Sequence, residues 1–420
     1  MKKILFSFLI VFPCVLFSQQ QWRFSVRVDK SSLNQPLSIS LDNILRDSIS
    51  DKLRLFEILD GKENEIACQL ETGYSSKLWF ILQGLTSAGS ERKFVLKAVE
   101  KNRMPLPHSF ITLTKNNDEL IMQCRNKPIL AYRFSTINPP DGVSPLFKKS
   151  GFIHPLFSPE GEILTRIQAP DHYHHFGIWG PWTLTKINHR KVDFWNIGDG
   201  LGTVRFSDLL LQVTGPVFTE FEVSQHHIDF GNKGEDQVAL NEKLDVRAWN
   251  LSDKVWVIDY TTTINTPLDS GILFEAYRYG GGIGFRATEK WTKDNSSVLT
   301  SDGKTRMDAD GSMARWCIVE GQSETKSGRS GILFLSHPSN RMHPEPMRVW
   351  PIDANGGRGD MFFEFTPIRY QDWKIEPYQN YTLRYRMIVF DGKMDKETAE
   401  LYWNSFGNAP SVRFSLVYKF

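Results

Sequence analysis

The stretch KVWVIDYTTTINT, residues 254–266, decides the fold class that we predict for this chain. It is rich in β-branched and aromatic residues, which is typical of a β-strand. Comparable runs recur from Trp22 onward, the clearest being WRFSVRV, KLWFILQG, RKFVLKAV, SFITLTKN, ELIMQC, FTEFEVSQHHIDF, KLDVRAWN, GILFLSHP and YTLRYRMIVFDG. The segment DKETAELYWNSF, residues 395–406, is the exception and predicts one helix. The sequence therefore predicts an all-β protein.

The spacing of these runs predicts two structural units. A chain of 420 residues is longer than one typical core accommodates. Short strands at close spacing predict a small N-terminal β-sandwich at residues 19–110. Residues 111–420 predict a large domain of long antiparallel sheets. The stretch EKNRMPLPHS, residues 100–109, carries two prolines and is the expected joint.

The first residues, MKKILFSFLIVFPCVLFSQ, have the pattern of a secretory signal peptide. We predict a signal at residues 1–18, cleavage near Ser18 and a periplasmic or secreted protein. Its apolar run is short for a membrane span, and no later stretch reaches the ~18 apolar residues that a span requires. Lys and Arg outnumber Asp and Glu by 50 to 48, an excess equal to Lys2 and Lys3, so nucleic acid is not an expected partner.

Three cysteines follow the predicted signal, Cys68, Cys124 and Cys317. They lie far apart and form no C-x-x-C pair, so a zinc site is not expected. We predict buried small residues, and one disulfide of open pairing is the alternative.

The segment PDHYHHFGIWGPW, residues 170–182, combines three imidazoles with two indoles. On a strand His172 and His174 share a face and His175 opposes them, whereas in a loop all three converge. Three interpretations stay open: a metal site, a general base and a hydrogen-bonded structural cluster. In the metal interpretation His172 and His174 hold one divalent metal; the cofactor is otherwise unknown. Trp179 and Trp182 are candidate platforms for a sugar ring.

Two further segments carry polar groups beside aromatic rings. In KINHRKVDFWN, residues 186–196, alternation places Asp193 and Trp195 on one face, either as the wall of a site or as an ordinary half-buried strand. In FEAYRYGGG, residues 274–282, Glu275, Tyr277 and Tyr279 share one face and Arg278 lies on the other. A carboxylate and two phenols on one pleat are rare in a core, which favours a functional interpretation.

The segment SHPSNRMHPEPMRVW, residues 336–350, predicts a stiff loop because it contains three prolines. A stiff loop suits a binding site because less entropy is lost when a ligand binds. His343 and Arg348 are its candidate substrate-binding residues, and a turn with satisfied polar groups is the alternative. Hydroxylated rings with an apolar face match this whole set, since they stack on indoles and hydrogen-bond to imidazoles, guanidinium groups and carboxylates. An oligosaccharide or polysaccharide is therefore the expected partner.

Five segments, in this order, resemble a secreted bacterial family known as PmoA-like and often labelled methane oxygenase: GFIHPLFSPEGEILT, PDHYHHFGIWGPW, HRKVDFWN, DADGSMARW and GILFLSHPSNRMHPEPMRVW. The resemblance covers about residues 110–395. It implies a galactose-mutarotase-like β super-sandwich and a role in polysaccharide breakdown.

The leading hypothesis for function is β-elimination on uronic-acid-containing glycans, by a lyase or a dehydratase. It requires a base, an acid and a group that neutralises the enolate. We predict His174 or His175 as the base, Tyr277 as the acid, and Arg278 or a metal as the stabilising group. A glycoside hydrolase, with its pair of carboxylates drawn from Asp171, Asp193 and Glu275, is the second hypothesis. A non-catalytic glycan-binding protein is the third.

The base, the acid and the stabilising group must all reach the same sugar ring. We expect His172, His174, His175, Tyr277, Arg278 and His343 to line a single cleft of the second unit, with Trp179 or Trp182 at its wall.

Overall fold

The protein is described by a computed structural model, which covers residues 21–42, 53–73, 75–98, 110–231 and 235–415. The predicted signal at 1–18 and the expected joint at 100–109 lie outside the described residues.

The described residues before position 99 form β1 (Gln21–Arg27), β2 (Ser32–Ser40), β3 (Leu53–Leu59), β4 (Lys62–Ile66), β5 (Gln69–Glu71), β6 (Lys77–Thr86) and β7 (Glu91–Ala98). The following strands are β8 (Ile111–Lys115), β9 (Glu119–Cys124), β10 (Lys127–Arg133), β11 (Phe152–Leu156), β12 (Ile167–Ala169), β13 (His172–Phe176), β14 (Ile178–Trp179), β15 (Thr185–Ile187), β16 (Arg190–Val192), β17 (Gly202–Thr214), β18 (Phe218–Asp229), β19 (Gln237–Trp249) and β20 (Val255–Asn265). The remaining elements are β21 (Ile272–Phe274), β22 (Ile283–Arg286), β23 (Ser296–Thr300), β24 (Met313–Ala314), β25 (Trp316–Gln322), β26 (Arg329–Ser336), β27 (Glu345–Val349), β28 (Phe362–Phe365), β29 (Trp373–Ile375), β30 (Tyr381–Asp391), α1 (Lys396–Gly407) and β31 (Ser411–Ser415).

The N-terminal unit is a small sandwich of two sheets. A five-stranded sheet, in the order β31-β1-β7-β3-β4, packs against a three-stranded sheet, β2-β6-β5. Phe24 and Val26 alternate with polar residues along β1, and they join Phe80 and Phe94 in the core. The C-terminal strand β31 pairs antiparallel with β1. The chain thus returns to its first unit, a pairing that our division at residue 110 did not include.

The second unit is a large antiparallel super-sandwich. Its nine-stranded sheet has the order β24-β27-β28-β22-β14-β11-β10-β9-β8, and its eight-stranded sheet has the order β17-β18-β19-β20-β30-β26-β25-β23. The stretch at 254–266 forms β20, whose Trp256, Ile258 and Tyr260 point into the core between the sheets. The predicted fold class, an all-β protein with a small sandwich followed by a large antiparallel super-sandwich, is confirmed.

Helix α1 forms where the sequence predicts it. The Asp395 carboxylate accepts a hydrogen bond from the backbone N–H of Thr398 and caps the helix. Ala399, Tyr402 and Trp403 bury one face of the helix against the eight-stranded sheet. Within the described residues, no helix is long and apolar enough to cross a membrane.

The three described cysteines are free thiols, and Cys124 and Cys317 are buried. Burial raises the pKa of the Cys68 thiol to about 11. Cys124 and Cys317 are buried, as predicted, whereas Cys68 is half-buried. None of these three described thiols forms the alternative disulfide.

Candidate active site

Strand β13 brings the three histidine rings together. The ring centroids of His172 and His175 lie 4.7 Å apart, as do those of His174 and His175, and those of His172 and His174 lie 5.4 Å apart. Gly177, the residue after β13, has a φ of 63°. A Cβ atom there would lie 2.2 Å from the Ile153 carbonyl oxygen, so only glycine permits this close approach of β13 to β11.

His175 lies beneath the other two rings. Only 1% of its surface is exposed, and it stacks on Trp195 with a centroid distance of 5.6 Å. Burial, reinforced by the neighbouring His174, holds the pKa of His175 well below its usual range. The His175 ring is therefore neutral, and it packs beneath His172 and His174 as a structural support.

His172 is oriented by a charged network. Its Nδ1 lies 2.7 Å from Oδ2 of Asp171, and the same oxygen accepts from Nη2 of Arg286 at 2.7 Å. Arg286 is 1% exposed and also binds Asp360 at 3.1 Å, while Asn355 donates to both carboxylates. Burial opposes ionisation of Asp171, but the hydrogen bond from His172 and the charge of Arg286 outweigh it and hold the Asp171 pKa well below its usual range. An ionised Asp171 fixes the proton of His172 on Nδ1 and leaves Nε2 as the basic atom.

His174 is half-buried beside this network. Within the described residues, neither of its ring nitrogens has a hydrogen-bond partner. Burial, together with the neighbouring His172, lowers its pKa to about 4. His174 is therefore neutral near pH 7 and has a nitrogen lone pair available to a ligand.

Four aromatic side chains form a surface under the histidines, which we call the aromatic floor: Trp179, Trp195, Trp350 and Phe362. His172 contacts the Trp350 ring at 4.9 Å, and His174 contacts the Trp195 ring at 5.7 Å. The Arg286 guanidinium lies 4.6 Å from the Trp350 ring centre, a cation–π contact. Through Trp350, the aromatic floor therefore contacts both His172 and Arg286 of the charged network.

Tyr279 contacts the same two indoles from another side. Its ring lies 5.0 Å from that of Trp195, and its hydroxyl oxygen accepts from Nε1 of Trp350 at 3.1 Å and from Nη2 of Arg348 at 3.0 Å. Arg348 also pairs with Asp310 at 2.7 Å. Since both oxygen lone pairs have donors, the Tyr279 proton is directed elsewhere, as an acid requires.

Tyr277 and Arg278 reach the cluster through Tyr279. The Tyr277 ring is half-buried, 5.7 Å from the Tyr279 ring. Arg278 is exposed, and its guanidinium lies 5.3 Å from the centre of the Tyr279 ring. No described acidic group lies within ion-pair distance of Arg278. This cation is therefore available to an anionic ligand.

Trp182 and His343 lie apart from this cluster. Trp182 is 1% exposed and stacks on Phe274 at 4.6 Å in the core. His343 lies 3.3 Å from the Ser336 hydroxyl and stacks on Trp403 of α1 at 6.0 Å. The expected single cleft therefore does not include these two residues, and we leave both out of the candidate site.

Asp193 and Glu275 are occupied by protein partners. Asp193 is buried and accepts from the Thr183 hydroxyl at 2.8 Å and from the backbone N–H of Trp195 at 2.9 Å. It therefore positions the Trp195 indole. Glu275 pairs with Lys186 at 2.6 Å.

The metal interpretation of His172 and His174 lacks further ligands. Within the described ranges, no group of three or more His, Cys, Asp or Glu side chains has the arrangement of a metal site. Nδ1 of His172 is also engaged by Asp171.

Sequence reasoning missed Arg286 and its partners Asp360 and Asn355. Arg286 carries a signal in hindsight, because it is a lone charge between Phe285 and Ala287 on a buried strand. Asn355 and Asp360 flank a glycine-rich turn and show no pattern that distinguishes them from loop residues.

The profile of a family described as a family of unknown function, DUF6807, matches residues 119–404. No curated protein matches the chain. The resemblance to the PmoA-like family stays a prediction, since none of these matches tests it.

Two solved structures are similar to the chain at low identity. One is an alpha-mannosidase from Enterococcus faecalis V583, with 9% identity, a TM-score of 0.45, and coverage of 94% of this chain and 46% of that chain. The other is a protein in the glycosyl hydrolase family 38 from Enterococcus faecalis, with 10% identity, a TM-score of 0.46, and coverage of 95% and 48%. The chain thus spans about half the length of each.

Proposed function

This chain belongs to DUF6807, a family of unknown function, and we propose that it is a carbohydrate-active enzyme that cleaves uronic-acid-containing oligosaccharides by β-elimination. One observation carries the proposal: the oriented imidazole of His172 and the hydroxyl of Tyr279 both contact Trp350. The buried Trp350 indole thus holds a base and an acid at one location, where a single sugar ring can react with both.

In the proposed reaction Nε2 of His172 removes the proton on the carbon next to the uronate carboxylate. Asp171 keeps Nε2 free by holding the proton of Nδ1. Arg278 pairs with the carboxylate and stabilises the negative charge that develops on it. This assignment moves the base from His175, which is buried, to His172, with His174 as a neighbouring hydrogen-bonding group.

The electron pair of the broken C–H bond then forms the double bond, and the C–O bond to the leaving group breaks. The Tyr279 hydroxyl gives its proton to the leaving oxygen, and Arg348 and Trp350 stabilise the remaining phenolate through their hydrogen bonds. The proton on His172 returns to Tyr279 through solvent. This assignment moves the acid from Tyr277 to Tyr279, because the described donors converge on the Tyr279 oxygen.

Hydrolysis is less well supported because it needs two available carboxyl groups across the sugar. Asp171 and Asp360 pair with Arg286, and Asp310 pairs with Arg348. Glu364 is fully buried, and burial raises its pKa well above its usual range. The described carboxyl groups around the aromatic floor are thus engaged or buried.

The experiment is incubation of the protein with a panel of polyuronates and uronic-acid oligosaccharides, monitored by ultraviolet absorbance of the new conjugated double bond. The expected result is absorbance that increases with wild-type protein and is lost with His172→Ala. Reducing ends without absorbance would support hydrolysis. Binding without either product would support a glycan-binding protein.

A further inference from the structure

A cavity lies between the two units, and none of the three β13 histidines lines it. Its volume is about 640 Å³, and we call it the interdomain groove. One wall is the N-terminal sandwich, with Lys77 and Trp79 of β6, and the other is the outer face of the eight-stranded sheet. Phe406, near the end of α1, and Pro410, just after the helix, close one end of the groove. Described residues of three segments remote in sequence thus meet there.

Two rows of side chains cross the sheet at the base of the interdomain groove. Arg247, Asp259 and Arg386 are paired across β19, β20 and β30 and form the first row. Arg386 binds Asp259 through Nε at 2.5 Å and through Nη2 at 2.9 Å. Arg247 pairs with Glu71 of the sandwich at 2.5 Å and with Glu220 at 2.8 Å. The charges of this row are therefore paired within the protein, and the pair of Arg247 with Glu71 joins the two units.

The second row, Asp245, Thr261 and Arg384, is paired across the same strands. Arg384 is exposed, and its guanidinium makes one long hydrogen bond, to the Ser339 hydroxyl at 3.3 Å. Among the described side chains, no acid lies within ion-pair distance of Arg384 or of Lys77, and the Thr261 hydroxyl has no partner.

Asp245 completes this row with a different character. Burial raises its pKa well above the usual range, and the adjacent Glu220 carboxylate raises it further. The Glu220 carboxylate also hydrogen-bonds to Asp245, so the other Asp245 oxygen is the atom that can accept from a ligand hydroxyl. The row thus presents a carboxyl acceptor, a hydroxyl and an unpaired cation in line.

We propose that the interdomain groove is a second, non-catalytic binding site for a uronic-acid unit of a glycan. The carboxylate pairs with Arg384, the ring hydroxyls bond to Thr261 and Asp245, and Lys77 attracts the adjacent acidic unit. A neutral sugar would leave both cations without an anion, and a simple anion would leave Thr261 and Asp245 unused. The site shares no residue with the histidine cluster and does not depend on the proposed reaction.

The test is hydrogen exchange on full-length protein carrying His172→Ala, which prevents consumption of the probe. The probes are hexamers of galacturonate, of glucuronate-containing glycan and of alginate, with methyl-esterified hexagalacturonate and cellohexaose as neutral controls. The expected result is slower exchange at residues 77–79 and 384–386 with at least one oligouronate and not with the neutral probes. Adding Arg384→Ala should weaken this protection about tenfold or more in probe concentration.

Arg205→Ala is the matched control, because Arg205 is an exposed arginine on β17 outside the interdomain groove. It should leave the protection intact. The proposal is overturned if no oligouronate protects these peptides, if neutral probes protect them equally, or if Arg384→Ala has no effect. Protection at residues 172–179 reports binding at the histidine cluster, and turnover by wild-type protein reports the proposed reaction, so failure of either is distinguishable from failure of this site.

Discussion

Asp171 and His172, neighbours in sequence, form a hydrogen bond of 2.7 Å between Oδ2 and Nδ1. Neighbouring side chains on a strand normally point to opposite faces. Asp171 avoids this because it lies in the turn before β13, where Arg286 and Asn355 hold its carboxylate. The pair therefore combines a base with the group that orients it.

Asp171→Asn should lower turnover by roughly 10²- to 10⁴-fold, because the amide no longer holds the His172 proton on Nδ1. Steady-state kinetics on an active uronate substrate measures this. Asp60→Asn is the control, since Asp60 is exposed in the turn between β3 and β4 of the N-terminal sandwich, and its turnover should match wild type. Equal turnover in the two variants would remove Asp171 and His172 from the mechanism.

Tyr279→Phe should lower kcat about 100-fold or more and change KM little, because it removes the acid and leaves the floor intact. Tyr277→Phe is the matched comparison, because Tyr277 lies in the same segment between β21 and β22, and it should cost much less. The same kinetic assay separates the two. If Tyr277→Phe is the more damaging variant, the acid is Tyr277, as the sequence alone suggested.

Arg286→Met should destabilise the protein by about 3–5 kcal/mol, because it leaves Asp171 and Asp360 without their buried cation. Urea denaturation followed by tryptophan fluorescence measures the free energy of unfolding. Lys243→Ala, which breaks the exposed pair with Glu222, should cost no more than about 1 kcal/mol. Similar small losses in both variants would show that the Arg286 network is not needed for folding.

Glu345 should make stability depend on pH. Burial raises its pKa to about 7 although Ser336, Tyr385 and Asn340 hydrogen-bond to it. The folded state therefore binds a proton that the unfolded state releases near its ordinary pKa of about 4.5. The contribution of protonated Glu345 to the free energy of unfolding is complete below the unfolded-state pKa. As pH rises toward 7, the free energy of unfolding falls by on the order of 3 kcal/mol.

Urea denaturation of wild type and Glu345→Gln between pH 4.5 and 8 isolates this contribution, since other titrating groups are shared. As pH rises across this window, wild type should lose unfolding free energy relative to Glu345→Gln, because only wild type must give up the Glu345 proton. Parallel pH profiles would contradict the assignment.

The fold class was predictable because strand propensity and turn spacing are local properties of the sequence. The return of β31 to β1 was not, because its partner lies nearly the whole chain away and no local pattern identifies it. Local pattern also predicted α1, whose capping Asp395 and buried Trp403 lie within one segment.

The candidate site was partly predictable. Three histidines in four positions, followed by Trp179, were visible in the sequence, and the structure brings them together with Tyr277 and Arg278. In the sequence, Trp182 and His343 looked equivalent to the residues that do join the cluster. They lie elsewhere because the direction of each side chain is set by tertiary packing, on Phe274 and Trp403 respectively. Arg286 was missed because its partners, Asp171 and Asp360, lie far from it in the chain.

The most direct measurement of the central claim is product analysis in ¹⁸O-labelled water. Elimination breaks the sugar linkage without adding water, whereas hydrolysis places a solvent oxygen on the product. Our account predicts that wild-type protein converts a uronic-acid oligosaccharide to an unsaturated product without ¹⁸O at the cleaved linkage, and that His172→Ala does not. A saturated product that carries ¹⁸O, or elimination that persists in His172→Ala, would contradict it.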